Sequence, residues 1–291
     1  MNKLKVGILG TGNIGCDLLV KIQRSPYLEC SIFMGRNLES KGMMFANKMG
    51  INITDKSIDA LIENPNLCDI VFDATTASAH LKNAPILKQM GKFAIDLTPS
   101  LVGKMCVPTV NGAECIKESN VNMITCGGQA TVPVIHAISE VINNIEYVEI
   151  AAVISSNSAG AGTRANIDEF TQTTKMAIEE FSGVDNAKAI IILNPSEPPI
   201  MMHNTIYIKV NNPDMNAVEL AVKNIEQKMQ SYIKGYKIIN GPVYQNGMII
   251  VMVQVEGNGD YLPKYSGNLD IITSSAVKVA EMYAQREALV C

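Results

Sequence analysis

From residue 4 onward, short apolar runs alternate with segments whose apolar residues recur every three or four positions. The pattern predicts strands over 4–9, 29–34, 70–74 and 93–96, and helices over 14–22, 39–49, 58–62 and 79–90. Strands separated by helices at this spacing build a doubly wound parallel sheet with right-handed crossovers. A second rhythm begins near residue 130, with helices predicted over 131–142 and 166–181 and strands over 148–155 and 187–193. Strands over 206–210, 236–239 and 248–255 then surround a helix over 217–232, the order of a mixed or antiparallel sheet, and a last helix covers 269–288. The expected fold is α/β in two parts, residues 1–125 and 126–268, with 269–291 as a C-terminal helix returning to the first.

A chain of 291 residues is long enough for two such cores. Charged residues make up 18% and the net charge is −4, with Lys and Glu scattered, so there is no basic field for nucleic acid. The chain enters a strand within its first few residues and has no apolar run of membrane-spanning length, so a cytoplasmic protein is expected. Seven cysteines, widely spaced and without C-x-x-C or clustered histidines, predict reduced thiols and no metal site.

The first predicted turn carries chemistry. Gly10-Thr11-Gly12-Asn13-Ile14-Gly15 follows an apolar strand and opens an amphipathic helix, the setting of a dinucleotide-binding Rossmann fingerprint. Gly10 makes the tight turn, Gly12 lets the backbone approach a pyrophosphate, and Gly15 lets helix and strand pack closely. An acidic residue about 20 positions further on would select NAD through the ribose hydroxyl. This chain instead has Gly35-Arg36-Asn37, and Arg36 suits a 2′-phosphate, so NADP is expected to be accepted beside NAD; a solvated loop arginine is the plain alternative. Phe72 to His80 ends a strand in small and hydroxylated residues, as expected beside a cofactor ring. His80 reads either as a base or as a helix-capping or surface histidine, the latter commoner for an isolated one.

The stretch from Val121 to Pro133 delivers Cys126 from an apolar strand into a glycine pair just ahead of a helix. Unpaired N–H groups there lower a thiol's pKa and can hold an oxyanion, so Cys126 is the candidate nucleophile, against the alternative of a buried apolar cysteine.

These segments together resemble the acylating acetaldehyde dehydrogenases, the partners of 4-hydroxy-2-oxovalerate aldolase in the meta-cleavage pathways of aromatic catabolism. The resemblance is carried by the glycine loop, Phe72-Asp-Ala-Thr through His80, Ile95-Asp-Leu-Thr-Pro99, Met123-Ile-Thr-Cys-Gly-Gly-Gln-Ala-Thr131, Ser158 through Thr171, Asn194-Pro-Ser-Glu-Pro-Pro199 and Tyr261 through Asp270. It implies a catalytic and dimerisation domain after the Rossmann part, a homodimer, and the reaction of a small aldehyde, coenzyme A and NAD(P)⁺ through a Cys126 thioester. It also implies cofactor contacts from Asn157, Ser158, Ala159, Gly160, Ala161, Gly162, Thr163, Arg164, Ala165 and Asn268. Asn166 would orient the carbonyl oxygen, although an N-cap role fits it equally. Ile167, Ile192 and Met201 are expected to line the aldehyde pocket, or to be plain core.

Three departures change what the resemblance implies. Met201-Met-His203-Asn204-Thr205 stands where the family has an acidic residue thought to assist the thiol; Asn204 cannot take a proton, which makes His203 the alternative base. Residues between Lys237 and Met248 form a short hairpin where relatives have a longer loop, which puts docking to an aldolase in doubt. Arg36 replaces the acidic cofactor selector. Two other readings stay open: a phosphorylating semialdehyde or glyceraldehyde-phosphate type dehydrogenase, which would need an anion pocket that only Arg164 could serve, and a non-catalytic NAD(P)-binding subunit that senses redox state through Cys126.

Overall fold

Strands β1 (Leu4–Leu9), β2 (Leu28–Met34), β3 (Ile53–Thr54), β4 (Ile70–Asp73), β5 (Phe93–Asp96), β6 (Lys104–Met105) and β7 (Asn120–Asn122) form one sheet in the order β3-β2-β1-β4-β5-β7-β6, every pair parallel. The computed structural model describes residues 3–160, 163–164 and 166–290. Helices α1 (Asn13–Arg24), α2 (Lys41–Lys48), α3 (Asp59–Glu63), α4 (Ala77–Gln89) and α5 (Pro108–Cys115) make the crossovers. Val6, Ile8, Leu9, Ile70, Val71 and Phe72 are fully buried, as strands covered on both faces require. Chain order reverses between β1 and β4, and a crevice at such a switch point is where this architecture binds ligands. Strand β6 and helix α5 fall where the apolar pattern gave no element, because each is too short or too polar to show a period; β7 is the strand read ahead of Cys126, ending at Asn122.

The second sheet has the order β11-β12-β10-β8-β9, formed by β8 (Tyr147–Ser155), β9 (Ala187–Asn194), β10 (Met202–Lys209), β11 (Tyr236–Gln245) and β12 (Met248–Val255). Only β8 and β9 run parallel, so the sheet is mixed. Burial alternates along β10 and β12, and along β8 as far as Ile154. The buried face packs under α6 (Cys126–Ser139), α7 (Ile167–Ser182) and α8 (Met215–Gln230). Fully buried Tyr236 ties this layer together by donating its hydroxyl to Ala130 O at 2.8 Å. β11 and β12 turn at Asn246-Gly247, both at positive φ, a two-residue hairpin.

The chain divides into two units, 1–123 with 273–291, and 124–272. Helix α9 (Gly267–Val290) therefore contributes residues 267–272 to the second unit and its remainder to the first. Within the first unit Tyr283 stacks on Phe93 with centroids 4.3 Å apart, and Ser25 donates to Glu281 at 2.6 Å. Two elements begin four or more residues earlier than their pattern predicts. β10 starts at Met202, and α6 starts at Cys126 because Thr125 caps it, accepting from Gly128 N at 2.9 Å.

Candidate active site

The glycine loop is a cradle with one open position. Gly10 sits at φ +106°, and a side chain there would strike the Ala74 carbonyl; one at Gly15 would overlap Gly10 O. A Cβ at Gly12 would meet nothing within 4 Å. Gly12 is the N-cap of α1 and makes no side-chain cap bond, and the first turn of α1 carries no acid, so no side chain of this turn caps its N–H groups or repels an anion there. Ser40, the cap of α2, lies with its hydroxyl 3.4 Å from that of Thr11. Arg36, just beyond β2, is exposed and has neither hydrogen bond nor ion pair among the described residues. The loop fits a dinucleotide pyrophosphate, and Arg36 is free to meet a further phosphate.

Cys126 is the first residue of α6 and partly exposed. Ile124, two residues earlier, is held at φ +51°, a costly conformation for a β-branched side chain and one that sets the sharp entry to the helix. Burial of the sulfur pushes the thiol up to about 12, while the N–H groups of Gly127 and Cys126 pull the other way. Desolvation therefore wins over the helix terminus, opposite to the lowering expected from sequence.

Three neighbours converge on this helix start. A Cβ at Gly127 would stand 2.8 Å from the Phe170 ring and 3.5 Å from Ala152 Cβ, so only glycine fits. Phe170 lies in the first turn of α7, and its N–H donates to the carbonyl of Asn166, the N-cap residue, at 3.0 Å. Ala152 pairs with Asn204 across β8 and β10, and paired side chains share a face about 5 Å apart. Asn204 is thus beside the α6 entry, fully buried, and neither its Nδ2 nor its Oδ1 has a partner.

His203 does not join them. Adjacent strand residues point to opposite faces, and His203 pairs with Val153 and Gln254 on the face turned away from α6, its Nδ1 3.3 Å from Met201 O. Within this chain it cannot serve Cys126, which corrects the reading of it as the base. Ile192 pairs with Val153 on that same far face and is 45% exposed, so it lines no pocket with Cys126 either.

The loop after β8 is held by hydrogen bonds of its own. Asn157 donates to Glu197 at 3.1 Å and buried Ser158 to Ser155 O at 2.8 Å. Arg164 donates to Ala159 O at 3.1 Å and to Ser156 O at 2.9 Å and Oγ at 2.8 Å, so it staples the loop rather than forming an open anion pocket. Gly160 is open, whereas Ala161, Gly162 and Ala165 lie outside the described residues. Asn268 is buried at the start of α9 with Oδ1 unpartnered, an acceptor awaiting a donor such as a carboxamide. His80 is fully buried, neither a surface nor a capping residue, and belongs to a polar row at the ends of β4, β5 and β7 to which the sequence reading gave no weight.

A dinucleotide cradle on a parallel sheet, with a second α/β unit presenting a cysteine at a strained helix start, defines a cysteine-dependent dehydrogenase. Residues 5–118 match the family described as semialdehyde dehydrogenase, NAD binding domain, and residues 126–263 match prokaryotic acetaldehyde dehydrogenase, dimerisation. The chain is 51% identical to an acetaldehyde dehydrogenase of Geobacillus stearothermophilus, covering 99% of this chain and 98% of that one. It is 46% identical to one of Pectobacterium atrosepticum, covering 96% and 95%. In fold it is similar to an aspartate semialdehyde dehydrogenase of Candida albicans solved with NADP, with a TM-score of 0.68 at 12% identity over 97% of this chain and 98% of that one. The chain belongs to the acetaldehyde dehydrogenase family.

Proposed function

We propose that this protein is a CoA-acylating aldehyde dehydrogenase, converting acetaldehyde or propanal, CoA and NAD(P)⁺ to acyl-CoA, NAD(P)H and a proton. The observation that carries the reading is Cys126 at the capped start of α6, beside Phe170 and Asn204, in a chain about half identical to acetaldehyde dehydrogenases over nearly its full length. Gly10 to Gly15 and Arg36 hold NAD or NADP in this reading, with Asn157 to Ala165 and Asn268 contributing.

Cys126 Sγ attacks the aldehyde carbon and its proton passes to solvent, since Asn204 has no basic atom and His203 stands on the other face. Asn166 steadies the resulting oxygen through its amide. A dinucleotide held by the Gly10–Gly15 loop would supply the hydride acceptor this oxidation needs, and Cys126 would then carry the acyl group as a thioester. The CoA thiol then attacks that carbonyl, the Cys126–acyl bond breaks, and the thiol proton passes to the cysteine sulfur as it leaves. CoA is favoured over inorganic phosphate as acceptor because Arg164 is committed to Ser156 and Ala159.

The match of residues 126–263 to a dimerisation region supports a homodimer. The face of the second sheet turned from α6, with Val153, Ile190, Ile192, Ile250 and Met252, is the apolar surface suited to a second copy. An aldolase partner is part of the same reading, carried by the resemblance alone.

The test is steady-state formation of NADH and NADPH from acetaldehyde and CoA, with Cys126→Ala as control. CoA-dependent turnover that the variant loses is expected. A wild type that binds cofactor but shows neither turnover nor a burst would instead be a binding subunit.

A further inference from the structure

Parallel strands buried on both faces are ordinarily apolar to their ends, yet Asp73, Asp96 and Asn122 form a row of direct register partners across β4, β5 and β7. All three are fully buried at the carboxyl edge. His80, on the first turns of α4 and also fully buried, stands among them with Nδ1 2.9 Å from Asp73 Oδ2 and Nε2 3.6 Å from Asp96 Oδ2. Asn120 Nδ2 lies 3.0 Å from Nε2, and its own Oδ1 has no partner. Two buried carboxylates on adjacent strands repel, and a positive charge between them is what lets both stay ionised.

Each carboxylate also shapes the turn that follows its strand. Asp73 accepts from Thr75 N at 3.1 Å and from the Thr75 hydroxyl, and Asn83 donates to it at 2.9 Å. The turn so formed packs against the phosphate loop, because a side chain at Gly10 would strike Ala74 O. Asp96 accepts from Thr98 N at 2.8 Å, from the Ser100 hydroxyl and from Asn122 Nδ2 at 2.7 Å. On that second turn the Thr98 hydroxyl is buried without a partner.

We infer that His80 is a positioning residue for the cofactor: its imidazolium clamps Asp73 to Asp96, fixing both turns at the edge of the dinucleotide groove, so that cofactor affinity depends on its proton. This rests on the NAD(P) reading above. The titratable groups facing His80 are Asp73 from β4 and Asp96 from β5; β7 presents only the amide of Asn120, which serves either state. Its NH₂ donates to a neutral Nε2, and after an amide rotation its oxygen accepts from a protonated one.

The sign follows from the geometry. Burial pulls the imidazole down, but the Asp73 bond and the Asp96 charge outweigh it and hold His80 above its ordinary value. Burial raises Asp73 too, yet the bonds from His80, Asn83 and Thr75 keep it below the usual carboxylate range, while burial leaves Asp96 raised. A group raised in this way holds its turns below its titration and releases them as pH rises through it.

The experiment is the Kd of NADH, read from nicotinamide fluorescence on the full chain between pH 6 and 9. NADH is used because the 2′-phosphate of NADPH would titrate in the same range. The wild-type Kd is expected to rise with pH by about fivefold or more, the lower end of ordinary site coupling. His80→Gln is expected to bind more weakly at pH 6 and to show no pH slope. A variant that keeps the wild-type slope, or a wild type without one, overturns the inference. Should the variant fail to fold, the wild type still decides by reciprocity: NADH must move the imidazole titration of His80, followed by NMR, upward. An unmoved titration with NADH bound refutes the clamp alone, whereas NADH that binds at no pH removes the cofactor reading beneath it.

Discussion

His203 and Asn204 are neighbours in sequence and point to opposite faces of the second sheet, Asn204 toward the start of α6 and His203 away from it. Loss of a general base ordinarily costs about 100-fold or more in rate. His203→Ala is therefore expected to keep its acylation rate at neutral pH, measured by the single-turnover burst of NADH. A large loss would place His203 in chemistry that this chain's own sheet geometry denies it.

Asn204 buries two unpartnered amide atoms, a cost of about 1–3 kcal/mol for each polar group left unmet. Asn204→Leu, which keeps the same branched skeleton, should unfold at higher denaturant concentration than the wild type. The same change should slow acylation if the amide meets the reacting centre. A variant equally stable and equally fast would mean that the side chain is satisfied in solution and idle in the reaction.

With its thiol pushed up to about 12, Cys126 in the free protein is almost wholly protonated at neutral pH. Its alkylation by iodoacetamide should rise roughly tenfold per pH unit, without a plateau, across pH 7–10. A plateau near pH 8 would show that the two N–H groups at the head of α6 outweigh desolvation after all.

Gly12 and Gly15 separate cofactor binding from folding. A side chain at Gly15 would overlap Gly10 O, so Gly15→Ala should lose about 1–3 kcal/mol of stability. Nothing stands within 4 Å of a Cβ at Gly12, so Gly12→Ala should melt like the wild type yet bind NADH more weakly, which calorimetry can check.

Arg36 is exposed and unengaged among the described residues, so removing it carries no structural penalty. Arg36→Asp should weaken NADPH binding through lost attraction and added repulsion while leaving NADH binding nearly intact. Equal losses for both cofactors would assign the guanidinium to the shared part of the dinucleotide.

Local pattern was enough for much of this molecule. Apolar runs bounded by turns made the strands β1, β4 and β5 legible, and the spacing Gly10-x-Gly12-x-x-Gly15 after a strand needs nothing distant to be read, because strand, turn and helix are contiguous. Cys126 could be picked out as the candidate nucleophile for the same reason: the cysteine and its glycines lie in one short segment. What the chain could not display alone were relations between residues far apart in sequence. The side to which His203 points depends on the register of β10 against β8, and one residue of register reverses it. The thiol of Cys126 is raised because tertiary packing desolvates it, a cost that helix position does not encode. His80 looked like an isolated histidine until β4 and β5 came side by side and set Asp73 next to Asp96. The sequence thus determined most of the elements and the candidate reactive groups, since both are written in short-range pattern; tertiary structure alone decided which groups share a face, a charge and a solvent, because those follow from strand pairing and burial.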